Sequence, residues 1–172
     1  MFLDNTACNL SSINLTLFLR ADGSFDIEGY RQAIRILILS QEILVDLSSY
    51  PTAQIAKNSH DYRPLGLGYA NLGTMLMQLG IPYDSDEGRA ICSALTAILC
   101  GHGYVTSAEI ASTKGTFAGF TKNRVPFMRV MNKHRDAAYV IGDADMKGMT
   151  SGVPPKVPTD IVSAAREDWD LA

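Results

Sequence analysis

One stretch near the start of the chain organises the rest, and it reads Asp4-Asn5-Thr6-Ala7-Cys8-Asn9-Leu10-Ser11-Ser12-Ile13-Asn14-Leu15. Cys8 lies among short polar residues, an environment in which a substrate or a second thiol can reach it. From residue 13 to residue 17 apolar and polar residues alternate, which predicts a strand with one buried face. The stretch therefore predicts a cysteine on a polar loop that leads into a strand. A cysteine that only packs is the alternative, since buried cysteine behaves as a small hydrophobe.

The composition of the 172 residues sets limits on the class of protein. This length is enough for a domain with its own core. The formal net charge of -3 gives no basic surface of the kind that binds DNA or RNA. No run of about 18 apolar residues and no signal-peptide pattern occur, so we expect no membrane span and a cytoplasmic location. Three cysteines without regular spacing do not indicate a secreted disulfide scaffold.

The first half of the chain predicts a long helix. After Asp26, which can act as its N-cap, apolar residues recur at intervals of three and four over residues 27–48. The apolar stripe is wide, so we expect this helix to be covered on two sides, as in a larger assembly. Thr52 predicts the cap of a short surface helix over residues 52–61.

The second half is also mainly helical by pattern. Asp84 and Glu87 have capping-box spacing and predict the start of a helix that ends near residue 112. A shorter helix is predicted over residues 124–134, and a last one after a cap at Thr159 or Asp160.

A stretch rich in glycine and proline, residues 142–158, predicts a long flexible connection before the last helix. The fold class expected from these patterns is a mainly α segment with one or two short strands, forming one partial domain over residues 1–172. No helix-stop signal is found at Ala172, so we expect a longer chain.

Two further motifs have weak functional readings. Gly66 and Gly68 form a Gly-x-Gly pair, but Asn71 occupies the third glycine position of a dinucleotide fingerprint and no clear strand precedes it. Close helix packing is the prediction there. Cys100 and His102 are two metal-type ligands without further partners, which is not a metal site. Cys92 lies eight residues from Cys100 on the same predicted helix, about 12 Å along its axis, so the two cannot form a disulfide and are predicted to be buried structural cysteines.

Several segments, in order along the chain, resemble the catalytic chain of ribonucleotide reductases; they are residues 6–15, 63–73, 81–85, 106–111 and 117–124. The resemblance extends over residues 1–140 and, more weakly, the last helix. It is greatest to the class II bacterial enzymes, which depend on adenosylcobalamin. A fragment of a class I large subunit is the alternative within the family.

The resemblance implies a fragment of a ten-stranded α/β barrel that reduces ribonucleoside diphosphates or triphosphates by thiyl-radical chemistry. Cys8 would be one member of the reducing dithiol pair; no cofactor-binding or metal-binding residue is identified. The implied partners are a ribonucleotide substrate, a thioredoxin-like or dithiol reductant and, in a homodimer, a second copy of the protein. The radical cysteine would precede Met1 and the phosphate-binding loop would follow Ala172, so the isolated segment is expected to be inactive. A non-catalytic helical interaction module is the alternative from a different class.

Overall fold

The computed structural model describes residues 3–172, which contain two short strands and six α-helices. In chain order they are β1 (Asn9–Asn14), α1 (Ile27–Leu47), α2 (Ala53–Tyr62), β2 (Leu65–Ala70), α3 (Leu72–Gln78), α4 (Asp86–Lys114), α5 (Phe120–Tyr139) and α6 (Thr159–Leu171). The mainly helical composition with one or two strands is confirmed. Two strands are consistent with a piece of a barrel but do not form one.

The two strands pair in parallel, with Asn9 opposite Leu65 and Asn14 opposite Ala70. The strand was predicted over residues 13–17, and that position is wrong. It begins four residues earlier, and residues 15–18 form a 3-10 turn instead. The physical reason is the side chain of Asn14, whose oxygen accepts the backbone N–H of Thr16 and turns the chain out of the sheet.

The prediction of helix packing around Gly66 and Gly68 is also wrong, because both glycines lie within β2. They alternate with Leu67 and Tyr69, which pack against the hydrophobic core. The strand therefore carries its apolar side chains on one face and almost no side chain on the other, which is why its pattern is a weak strand signal.

Local capping signals fix the starts of α1 and α2 as predicted. The carboxylate of Asp26 accepts the N–H of Gly29 at 3.2 Å, and the hydroxyl of Thr52 accepts the N–H of Ile55 at 3.2 Å. Both side chains satisfy backbone donors that the first helical turn leaves unpaired. The helix α1 ends at Leu47, one residue before the predicted end.

Three other predicted boundaries need correction. Ser85, not Asp84, caps α4, because its hydroxyl accepts the N–H of Gly88 at 3.0 Å. The cap of α6 is Pro158, so Thr159 and Asp160 lie inside its first turn. The helix α5 spans residues 120–139 instead of 124–134. It starts early because Phe120 packs edge-on against neighbouring phenylalanine rings, including Phe127.

The longest helix, α4, lies at the centre of the core and packs against α1 and α6. By length and mean hydropathy alone it is the one helix of residues 3–172 that could cross a membrane. Its packing explains this composition, because a helix covered on several sides in a globular core is also apolar. Buried Asp168 on α6 joins these helices: Arg31 Nε on α1 donates to it at 3.1 Å, and His102 Nδ1 on α4 lies 3.1 Å away.

The connection between α5 and α6 contains no helix or strand, but it makes specific contacts. Met146 is buried, and the carboxylate of Asp86 accepts the N–H groups of Thr150 and Ser151. Hydrogen bonds from Ser151 and Arg89 hold the pKa of Asp86 well below the usual range for aspartate. The flexibility of residues 142–158 stays a prediction.

We expect Asp86→Ala to release this connection. The variant loses both backbone hydrogen bonds, so trypsin should cleave after exposed Lys147 about threefold to tenfold faster. Because the pKa of Asp86 is lowered on folding, its stabilisation is complete at neutral pH and is lost only as the pH falls through that lowered value. The control is Asp84→Ala, which removes another Arg89 partner without touching the connection. Equal cleavage rates in the two variants would contradict the assignment.

We also expect the isolated segment to self-associate through α1. Four of its large apolar side chains are exposed, among them Ile43 at 58% and Leu47 at 77%. Such patches promote association. The double substitution Ile43→Lys and Leu47→Lys should lower the weight-average mass in sedimentation equilibrium toward that of a monomer. Val125→Lys, at an exposed apolar residue on α5, should not. A segment that is monomeric before substitution would refute this expectation.

Candidate functional site

Cys8 immediately precedes β1, as the sequence predicts for a cysteine on a loop that leads into a strand. Its side chain is half-buried. Its Sγ lies 3.6 Å from the carbonyl oxygen of Asn9, to which the thiol can donate a weak hydrogen bond. Cys8, Cys92 and Cys100 are all free thiols.

The segment that leads to Cys8 is held by α2. The N–H of Ala7 donates to the hydroxyl of buried Ser59 at 2.9 Å, and the side-chain amide of Asn58 donates to the Asp4 carbonyl at 3.2 Å. These two contacts join residues far apart in the sequence and fix the backbone just before the thiol.

The polar neighbours predicted to surround the thiol instead shape the loop. The Thr6 hydroxyl donates to the Leu3 carbonyl, and Asn5 adopts a left-handed conformation with φ of 54°. The Asn9 side chain turns away to donate to the Gln41 carbonyl at 3.1 Å. These residues are therefore better described as a hydrogen-bonded turn than as a polar lining of the thiol.

Gly66 on β2 leaves the space that the Cys8 thiol occupies. A Cβ atom at this position would lie 2.9 Å from Cys8 Sγ, 3.2 Å from the Asn9 carbonyl oxygen, and closer still to the Leu10 side chain. Cys8 and Leu10 thus lie over the same bare part of β2, on the face of the sheet opposite Leu67 and Tyr69. The sequence contained a signal for this residue, the Gly-x-Gly pair, but it was interpreted as helix packing.

Gln41 on α1 was not identified from the sequence. Its side chain is buried, and its Nε2 donates to the Gly66 carbonyl at 2.8 Å and to the Asn9 carbonyl at 3.2 Å. One amide thus contacts both strands beside Cys8. The available signal was a lone glutamine at a position of α1 that its periodicity assigns to the buried face.

The other two cysteines lie on α4. The sequence predicts them to be buried, but both are only half-buried. Cys92 Sγ is 3.3 Å from the Tyr69 hydroxyl, which also lies 2.7 Å from Thr96 Oγ1; burial raises the pKa of Tyr69 to about 12. Burial raises the pKa of the Cys100 thiol, which keeps it protonated and a poor nucleophile.

Residues 3–172 contain no group of three or more His, Cys, Asp or Glu side chains placed to hold a metal ion. The nearby His102 contacts Asp168 across the α4–α6 interface, so it serves helix packing in this structure. The candidate site is the Cys8 thiol, held between α2, β1 and β2.

Comparison with known proteins identifies one family. The model of the ribonucleotide reductase barrel domain matches residues 1–171. The chain is similar to a vitamin B12-dependent ribonucleotide reductase of Rhodopirellula baltica, with 53% identity over 99% of this chain and 15% of the relative. It is similar to proteins of the same name in Agrobacterium fabrum, with 52% identity over 100% of this chain and 14% of the relative, and Bradyrhizobium diazoefficiens, with 46% identity over 100% and 14%. The chain thus spans about one seventh of the length of these relatives.

We expect Gly66→Ala to displace the Cys8 thiol. The added methyl group has no room between Cys8, Leu10 and the β1 backbone, so the free energy of unfolding should fall by about 1–3 kcal/mol. Alkylation of Cys8 by iodoacetamide should become faster, because the thiol moves out of its half-buried position. Mass spectrometry of modified peptides gives the rate at Cys8 itself.

The matched control is Gly68→Ala, two residues further along β2. A Cβ atom there meets nothing within 4 Å, so stability and alkylation should stay close to those of the unsubstituted chain. Equal behaviour of the two alanine variants would show that Gly66 does not shape the thiol site.

Proposed function

Because this chain belongs to the ribonucleotide reductase barrel-domain family, we propose that its parent protein reduces ribonucleotides and that Cys8 is one member of the reducing dithiol pair. The observation that carries the proposal is the position of Cys8. It is a free, half-buried thiol at the start of β1, on the side of the sheet that α1 does not cover.

The proposed chemistry needs two thiols. Replacing the 2′-hydroxyl of a ribonucleotide by hydrogen consumes two electrons and two protons: the C–O bond breaks, the oxygen leaves as water, and two thiols become one disulfide. Cys8 supplies one electron and one proton. An external dithiol or thioredoxin-like reductant then reopens the disulfide by thiol–disulfide exchange, which requires access to the sulfur.

The second thiol of the pair comes from a different part of the parent protein. Cys92 contacts Tyr69 on the helix-covered face of β2, whereas Cys8 lies over Gly66 on the opposite face. Cys100 packs into the helical core, and burial raises the pKa of its thiol. Neither α4 cysteine has the placement of a partner for Cys8.

The residues described here do not form a site that fits adenosylcobalamin. A surface depression between α1 and α6 is lined by charged side chains, among them Arg31 and Glu167, and residues 3–172 present no metal-binding cluster. We propose adenosylcobalamin as the cofactor of the parent protein from the names of its relatives, and derive no step through it.

The remaining features of the proposal follow from the family. The substrate is a ribonucleoside diphosphate or triphosphate, and the parent protein acts in the cytoplasm, where free thiols persist. The assembly included in the proposal is a homodimer. The relatives' names support class II over a class I large subunit. They also support a reductase over a non-catalytic helical module. The isolated segment is expected to reduce no ribonucleotide.

We expect Cys8→Ser in the full-length protein to abolish multiple turnover with an external dithiol. Serine keeps the size and a hydrogen bond but cannot form a disulfide. Radical formation should survive, since the radical resides on a different cysteine in the family. Steady-state deoxynucleotide formation measures the first effect, and electron paramagnetic resonance measures the second.

Cys92→Ser and Cys100→Ser are the controls. They should retain turnover and lose about 1–3 kcal/mol of stability through a poorly accommodated hydroxyl, measured by thermal unfolding. Normal turnover in Cys8→Ser would refute the redox role. Loss of turnover in Cys100→Ser at unchanged stability would assign that role to Cys100.

A further inference from the structure

Gln41 is a buried polar side chain on an otherwise apolar helix face. It is 1% exposed, and the other buried residues of α1 are Tyr30, Ile34, Ile38 and Val45. An amide at such a position loses its hydration, which is unfavourable unless hydrogen bonds replace it. An aliphatic side chain would serve packing alone at least as well, so the contacts of the amide are the feature to explain.

The amide of Gln41 ties both strands to α1 at one point. Its Nε2 donates to the Gly66 carbonyl at 2.8 Å and to the Asn9 carbonyl at 3.2 Å, and lies 3.4 Å from Ser11 Oγ. In return, the Asn9 side-chain amide donates to the Gln41 backbone carbonyl at 3.1 Å. Asn9 and Gln41 therefore hold each other by two hydrogen bonds that run in opposite directions.

The hydrogen bonds from Gln41 to the Asn9 and Gly66 carbonyls are here called the clamp. The Asn9 carbonyl links this clamp to the thiol. It is the same oxygen that lies 3.6 Å from Cys8 Sγ, and Gly66 is the residue against which that sulfur packs. Gln41 thus contacts the carbonyl groups of both residues that bound the thiol. It reaches them from the helix side of the sheet, without touching the sulfur.

The clamp is incomplete as a set of hydrogen bonds. The Oε1 atom of Gln41 and the Oδ1 atom of Asn9 are buried and have no hydrogen-bond partner among the residues described. Buried acceptors without partners oppose folding. Stability alone does not explain these unpaired acceptors. They accompany the Nε2 donor of Gln41, which is needed to fix the start of both strands.

We propose that Gln41 is a positioning residue for Cys8, which holds the Asn9 and Gly66 carbonyls so that the thiol keeps one orientation through the redox cycle. This inference rests on the proposed function of Cys8. When the sulfur leaves the Asn9 carbonyl to form a disulfide, Nε2 remains as the donor to that oxygen. The backbone at the start of β1 therefore keeps its place in both redox states, and the thiol returns to the same position.

The test uses the full-length protein with Gln41→Leu, which keeps the approximate volume and removes the donor. Because small misplacement of a reacting group has large kinetic effects, kcat should fall about tenfold or more. The KM for ribonucleotide should stay within about twofold, since the Gln41 side chain is buried and contacts the strands from the α1 side, away from the Cys8 sulfur. In the pre-reduced protein the rate of Cys8 alkylation by iodoacetamide should also change.

Val45→Ala is the matched control, four residues further along the same buried face. It should lower the melting temperature while kcat and Cys8 alkylation stay close to those of the unsubstituted protein. If Gln41→Leu does not fold, Gln41→Met, which is flexible enough to adapt to the site, replaces it. Unchanged kcat and alkylation in the glutamine variant would overturn the inference, as would an equal fall of kcat in Val45→Ala.

Cys8→Ser, measured in parallel, separates this inference from the one on which it rests. If Cys8→Ser turns over normally, the proposed role of Cys8 fails. If Cys8→Ser is inactive and Gln41→Leu behaves like the unsubstituted protein, only the positioning role of Gln41 fails.

Discussion

The parallel pairing of β1 and β2 is the constraint on which the rest of the structure depends. Parallel strands cannot be joined by a hairpin, so the chain has to return to the start of the sheet through a crossover. Here α1 and α2 provide it, and α1 covers one face of the pair. The other face is left to Cys8, Leu10 and the glycines of β2. The division between a face that packs against α1 and a face that carries Cys8 thus follows from strand direction.

The helices form a second unit around a buried carboxylate. Asp168 is 1% exposed and contacts cationic Arg31 and the ring of His102, so α1, α4 and α6 meet at a single charged group. Desolvation disfavours a buried carboxylate, and the two partners offset that effect. Gly101 allows α6 to approach, because a Cβ atom there would lie 3.0 Å from the Asp168 side chain. This junction holds α1, and therefore Gln41, against the sheet.

The sequence predicts those features that depend on near neighbours. Asp26 and Thr52 were identified as caps because the residues they bind follow within three positions. Asp84 and Ser85 both stand where an N-cap of α4 is plausible. The sequence therefore predicts the carboxylate of Asp84 as the cap, although the Ser85 hydroxyl serves that role. The strand β2 was not predicted because the feature that defines it is its pairing with β1, which lies far away in the sequence. The contacts of Gln41 could not be predicted for the same reason, because they join α1 to strands that are distant in the sequence. Cys8 was identified from its polar neighbours and from the family resemblance.

The close contact between Cys8 and Gly66 also limits the directions from which another group can approach the Cys8 sulfur. The backbone of β2 fills the space on one side of the sulfur, and no side chain can be added there without a clash. A disulfide requires the second sulfur to arrive within about 2.05 Å, along a line with a free approach. The strand β2 therefore blocks one side of the thiol sterically, so any oxidant, reductant or partner cysteine has to approach the sulfur from the opposite side. For the exchange proposed at Cys8, the direction of approach to the sulfur is thus set by a residue that has no side chain.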